Sequence, residues 1–227
     1  FKGSKQNKVE YLTSQQLKLL FVAPDIGLKK GRRDRFLMIL MYETGMRLNE
    51  ILSLKLENII PNGEDIEIKI FGKGSKYRTV PLLKPAIKHL NAYLKEFHPL
   101  NNQSDYLFYV NHSGRRDKLS PGTVDAFLKK YAHKINEEND DFPINLHAHM
   151  LRHSVAMSMY KNGIPISYVK DFLGHSDIST TSIYAYADNE DIKKALEAVQ
   201  KNIPSSNVKE KKWRGKEKDL LKYCGLE

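Results

Sequence analysis

DIEIKIFGKGSKYRTVP, residues 65–81, is where the chain changes its period. Upstream, apolar residues recur at helical spacing. Here Ile66, Ile68 and Ile70 alternate with Glu67 and Lys69, the pattern of a strand with one face buried and the other in water. Gly72-Lys73-Gly74-Ser75-Lys76 then reads as a glycine-rich turn, residues 77–80 as the partner strand, and Pro81 closes it. Lys73 is thereby expected at a hairpin tip. A single hairpin in an otherwise helical chain predicts a mainly α protein with a small antiparallel β-sheet, an α+β fold.

On the N-terminal side, Thr13 followed three residues later by Gln16 makes a capping box for a short helix that Pro24 stops. After the basic run of residues 29–35, residues 36–44 carry apolar side chains around most of a helix and end at Gly45, a left-handed cap. Such a helix is buried. Leu48, Ile51 and Leu52 place Arg47 at the start of the next one. On the C-terminal side, residues 83–97 read as a helix and residues 106–109 as a short strand. Ser120-Pro121 opens a helix running to about residue 135. A polar loop at 136–145 precedes helices at about 147–162 and from Pro165 to Gly174. Asp177 or Ser179 can cap a short helix through Tyr184, and Asp188 another through Gln200.

Composition narrows the partners. Thirty-seven Lys and Arg against 27 Asp and Glu leave a net charge of +10 on 227 residues. A basic surface gains free energy by releasing counterions from phosphates, which favours a polyanion. The longest apolar run, residues 36–42, is far short of the roughly 20 residues a membrane span needs, so no membrane partner is expected. The lone Cys224 excludes an internal disulfide and a Cys-rich zinc site.

Several side chains could carry chemistry. Arg47 follows a helix-ending glycine, with Glu50 at the right distance for a local bridge. Arg152 lies in an apolar helix, where an arginine needs a partner, and His149 shares its face at i,i+3. His149 and His153 have metal-ligand spacing. The absence of a His-Glu-x-x-His motif, of a nearby cysteine and of an obvious third carboxylate ligand argues against zinc. The turn at 72–75 lacks the P-loop pattern and leads into a strand, which disfavours ATP.

Taken together, five segments match one arrangement in order and spacing. They are Thr44-Gly45-Met46-Arg47-Leu48-Asn49-Glu50, the stretch from Gly72 to Leu82, His149-Met150-Leu151-Arg152-His153, Leu173-Gly174-His175-Ser176, and Thr180-Thr181-Ser182-Ile183-Tyr184. Over residues 11–187 the chain resembles the catalytic domain of tyrosine recombinases, or phage-type integrases. The resemblance implies strand exchange on double-stranded DNA through a covalent 3′-phosphotyrosine. The catalytic roles fall on Arg47, Lys73, His149, Arg152, His175 and Tyr184, with Glu50 orienting Arg47, and neither a metal nor a nucleotide cofactor is implied. Tyr186 stands where many relatives have histidine; the nine-residue step from His175 selects Tyr184 as the nucleophile.

The resemblance also sets the domain plan: residues 1–12 as a linker stub from an N-terminal DNA-gripping domain, 13–187 as the catalytic domain, and 188–227 as a C-terminal helix and basic tail. That tail could dock on a neighbouring protomer or fold back in cis. Lys29, Lys30, Arg32, Arg33, Lys76, Arg78, Arg115 and Arg116 are expected on DNA phosphates. A homotetramer on DNA, accessory DNA-bending proteins and a cytoplasmic, nucleoid-associated location complete the expectation. Two rival functions use the same features: relaxation of DNA in the manner of a type IB topoisomerase, and DNA-binding regulation without catalysis.

Overall fold

The structure, a computed structural model, describes residues 9–71 and 77–174; the expected hairpin tip and everything from His175 onward, including the separate segment at 188–227, lie outside the described residues. The helices are α1 (Ser14–Val22), α2 (Lys29–Thr44), α3 (Leu48–Leu52), α4 (Lys84–Phe97), α5 (Pro121–Asn136), α6 (Ala148–Lys161) and α7 (Ile166–Leu173). Between α3 and α4 run β1 (Ile59–Asn62), β2 (Asp65–Phe71) and β3 (Tyr77–Leu82), and between α4 and α5 run β4 (Tyr109–His112) and β5 (Arg115–Lys118). The mainly α architecture with small antiparallel sheets agrees with the sequence reading.

The helix at the centre is α2. Phe36, Leu37, Met38, Leu40 and Met41 are all buried in it, and it packs against α4 on one side and α6 on another. Its start differs from expectation. The basic run 29–35 is not a loop before the helix but its first two turns. Helical continuation turns Asp34 inward, where it is 1% exposed. Arg33 Nη2 reaches its carboxylate at 2.7 Å and the Tyr131 hydroxyl donates to it at 3.0 Å.

The first sheet has the order β1-β2-β3, both pairs antiparallel, with Ile68 opposite Val80 and Ile70 opposite Arg78. Ile68, Ile70, Val80 and Leu82 face the core, as one-face burial demands. Strand β1 was not legible in the sequence, and the expected strand at 106–109 lies three residues later. There, Ser113 and Gly114 adopt φ of 49° and 79°, the two-residue turn that lets β4 fold back on β5. Caps behave as read: Thr13 and Gln16 form the capping box of α1, and Ser120 accepts from the Thr123 N–H. Residues 9–12, read as linker, reach the core. Leu12 is buried and its N–H donates to Ser154 Oγ at 2.8 Å.

Asp34 supplies a stability test, because removing one partner of a buried pair strands the others. Asp34→Ala should lower unfolding free energy by about 3–5 kcal/mol in urea titration, and Asp34→Asn, which keeps an acceptor for Tyr131, by less.

Candidate active site

The site grows from the end of α2. Gly45, at φ +56°, terminates that helix, and a Cβ there would sit 2.8 Å from Phe172 and 3.0 Å from Leu173, so α2 ends in close contact with α7. Two residues on, Arg47 is the N-cap of α3. Its N–H donates to Glu50 Oε2 at 2.9 Å, and its guanidinium meets Glu50 Oε1 at 3.1 Å. Glu50 thus supplies the returning half of a capping box and holds the Arg47 side chain as well. Arg47 Nη2 reaches towards the Gly174 carbonyl at 3.5 Å.

Arg152 comes from α6 and is only 4% exposed. It donates through Nη1 to the Gly45 carbonyl and through Nη2 to the Leu173 carbonyl at 2.8 Å. Both acceptors lie at helix C-termini, where partial negative charge suits a cation. The two arginines therefore touch consecutive residues, Leu173 and Gly174, although 105 positions separate them in the chain.

His149 lies one turn before Arg152 and is exposed. Partial desolvation and the positive charges of Arg152, His147 and Arg47 push its pKa below the ordinary 6.5. His153, with its ring centroid 6.0 Å from that of His149, is pushed down to about 4 by burial and then by the charges of His149 and Arg152. Both rings are therefore neutral at pH 7, the form that accepts a proton.

Glu50 has a second cationic partner that the sequence reading did not assign. Arg78 on β3 binds its carboxylate with Nη2 at 2.9 Å and Nη1 at 3.3 Å. Burial alone would raise the Glu50 pKa; hydrogen bonds from Arg78 and Arg47 outweigh it and hold the carboxyl below its usual range. A signal was present: Arg78, Val80 and Leu82 share the inward face of a period-two strand.

The remaining expected DNA contacts occupy varied settings. Lys30 and Arg115 are exposed, and Lys29 lies over the Phe97 ring. Arg32 is paired with Glu96 at 2.7 Å, Arg33 with Asp34, and Arg116 with Asp105 at 2.6 Å. Lys73, Lys76, His175 and Tyr184 lie outside the described residues. Among the described residues, no group of three or more His, Cys, Asp or Glu side chains could hold a metal, and no helix is long and apolar enough to cross a membrane.

Comparison with known proteins places the chain. The model of the phage integrase family matches residues 10–191, and the chain belongs to that family. The tyrosine recombinase XerA of Pyrococcus furiosus is 35% identical over 187 residues, covering 82% of this chain and 60% of the relative. For the tyrosine recombinase XerD of Staphylococcus aureus the values are 34%, 82% and 60%. The chain thus spans about three fifths of the length of these curated relatives. Among solved structures, the XerH site-specific recombinase bound to palindromic difH substrate, a post-cleavage complex, matches with a TM-score of 0.69 and 28% identity. That match covers 88% of this chain and 56% of the other. The catalytic domain of bacteriophage HP1 integrase shares the fold, with a TM-score of 0.51 at 22% identity over 88% of this chain and 98% of the other.

The lowered histidines make stability depend on pH. Below 6.5 the unfolded chain takes up a proton that folded His153 refuses until about pH 4, so stability falls as pH drops through that window. His153→Gln should flatten the decline in thermal midpoint between pH 6.5 and 4 without abolishing it, since His149, His89 and His98 are lowered too.

Proposed function

We propose that the protein is a site-specific DNA recombinase that cleaves and rejoins strands through a covalent 3′-phosphotyrosine. The observation that carries this reading is the meeting of Arg47 and Arg152 at consecutive carbonyls, with neutral His149 one turn from Arg152. Two guanidiniums can each offer paired N–H groups to the non-bridging oxygens of a phosphate, whose negative charge grows as a fifth oxygen adds.

In the proposed reaction the Tyr184 oxygen bonds to phosphorus and the bond to the deoxyribose 5′-oxygen breaks. A phenol with pKa about 10 is about 0.1% ionised at pH 7, so the tyrosine proton must leave, and His149 accepts it. The departing 5′-oxygen takes a proton from Lys73. His175 donates to the same phosphate oxygens as the arginines. One phosphoester bond replaces another, so a 5′-hydroxyl of a second strand can reverse the attack without a nucleotide cofactor. Lys29, Lys30 and Arg115 are the most open candidates for phosphate contacts along the duplex. A homotetramer on DNA, the C-terminal segment 188–227 docked on a neighbouring protomer, accessory DNA-bending proteins and association with the nucleoid belong to the same proposal.

The test uses duplexes that the 227-residue chain itself selects from random-sequence DNA, nicked beside the cleavage point to trap the intermediate. Wild-type protein should give a covalent band and Tyr184→Phe none; a band with both would overturn the nucleophile. Arg47→Ala should lower the cleavage rate by about 10²–10³-fold, the usual loss for one donor to a developing oxyanion, with little change in thermal midpoint because this side chain is 42% exposed. Strand exchange between two sites, rather than relaxation of a supercoiled circle alone, separates recombination from topoisomerase action.

A further inference from the structure

Glu50 accepts four hydrogen bonds from two arginines. Its Oε2 accepts the Arg47 N–H and Arg78 Nη2, both at 2.9 Å, and its Oε1 accepts Arg47 Nη1 at 3.1 Å and Arg78 Nη1 at 3.3 Å. The two cations stand at different depths. Arg47 is 42% exposed, Arg78 20% and the carboxylate between them 11%. Arg78 is also wedged from the other side: its Cζ and Nη1 lie 3.0 Å from where a Cβ on Gly174 would be. The carbonyl of that same glycine is the one Arg47 approaches.

From this arrangement we infer that Arg78 is a positioning residue for the proposed phosphoryl transfer, acting through Glu50 on Arg47 rather than on DNA. The inference rests on the recombinase reading. Two physical effects follow from the geometry. A carboxylate held by Arg78 in a two-point fork presents fixed oxygens to Arg47, which removes much of the rotamer freedom of an otherwise half-exposed side chain. Charge matters equally. Arg47 and Glu50 alone sum to zero, so the carboxylate would cancel the field that Arg47 offers an incoming phosphate. With Arg78 the trio carries one net positive charge, and its outermost member is Arg47. Arg78 is also the second residue of β3, so the strand that follows residues 72–76 is tied near its beginning to the start of α3.

A phosphate contact and a positioning role predict different measurements. Arg78→Met should leave the salt dependence of DNA binding unchanged while lowering the cleavage rate at saturating DNA about 10²-fold, the scale of loss for a misplaced catalytic group. In an Arg47→Ala background the same change should cost clearly less than in the wild type, because the group it positions is gone and only the charge of Arg78 is lost. Arg78→Lys, which keeps the charge and loses the fork, should fall between, and it serves as the working variant should Arg78→Met fold poorly. A titration of Glu50 by carboxyl NMR should show its pKa rising when Arg78 is replaced. A salt slope reduced by about 0.9 would make Arg78 a phosphate contact and overturn the inference. So would losses that multiply in the Arg47→Ala background, which is the signature of an independent or merely structural effect. Absence of a covalent product with wild-type protein would sink the recombinase reading itself, and this role with it; a product with either contrary result removes only the role of Arg78.

Discussion

Everything in the site depends on one buried cation finding oxygens. An arginine that is 4% exposed would be strongly destabilising without acceptors, and Arg152 finds them at two helix ends, the carbonyls of Gly45 and Leu173. Satisfying that guanidinium draws the C-termini of α2 and α7 together over α6. Because Arg47 follows Gly45 by two residues, closing these bonds also delivers Arg47 to the same place. The packing of α2, α6 and α7 and the convergence of the two arginines thus rest on the same hydrogen bonds.

Around this pair the charges are sorted by depth. The inner groups are satisfied: Glu50 between two arginines, Arg152 hydrogen-bonded to two carbonyls, and His153 held uncharged by burial. The outer layer keeps a net positive charge at Arg47 and an uncharged, exposed imidazole at His149. A surface of this kind attracts an anion while leaving a proton acceptor free beside it. Elsewhere the basic residues of α2 are not a uniform positive face, since Arg32 and Arg33 are committed to Glu96 and Asp34.

What could be read from the sequence follows from which constraints leave a period. Strands β2 and β3 were legible because one buried face forces alternation, and α1, α5 and α7 because Thr13, Ser120 and Pro165 mark their starts. Strand β1 was not, since its Ile-Ile-Pro-Asn is almost entirely exposed and four residues long. The β4–β5 hairpin failed likewise: Val110 is its only apolar residue besides Tyr109, and its turn rests on a positive φ at Ser113, which no composition rule favours strongly. The start of α2 was hidden because a run of Lys and Arg looks solvated whether or not it is helical. Arg47, His149 and Arg152 were identified by spacing within motifs, and the structure does bring them together. The carbonyls at 45, 173 and 174 that the two arginines reach leave no trace in side-chain identity. Arg78 differs, because its inward register beside Val80 and Leu82 is written in the alternation of β3, whereas its charge alone suits a solvent-facing phosphate contact equally well.

The contact at Gly45 has a mechanical meaning. A missing Cβ there lets the end of one helix lie against Phe172 and Leu173 of another with no spare volume between them, and at Gly174 the same economy seats a guanidinium against bare backbone. Such a joint has no slack. A tilt or slide of α7 would therefore press on the end of α2, two residues before Arg47, and so couple the position of that helix to the segment that bears this arginine.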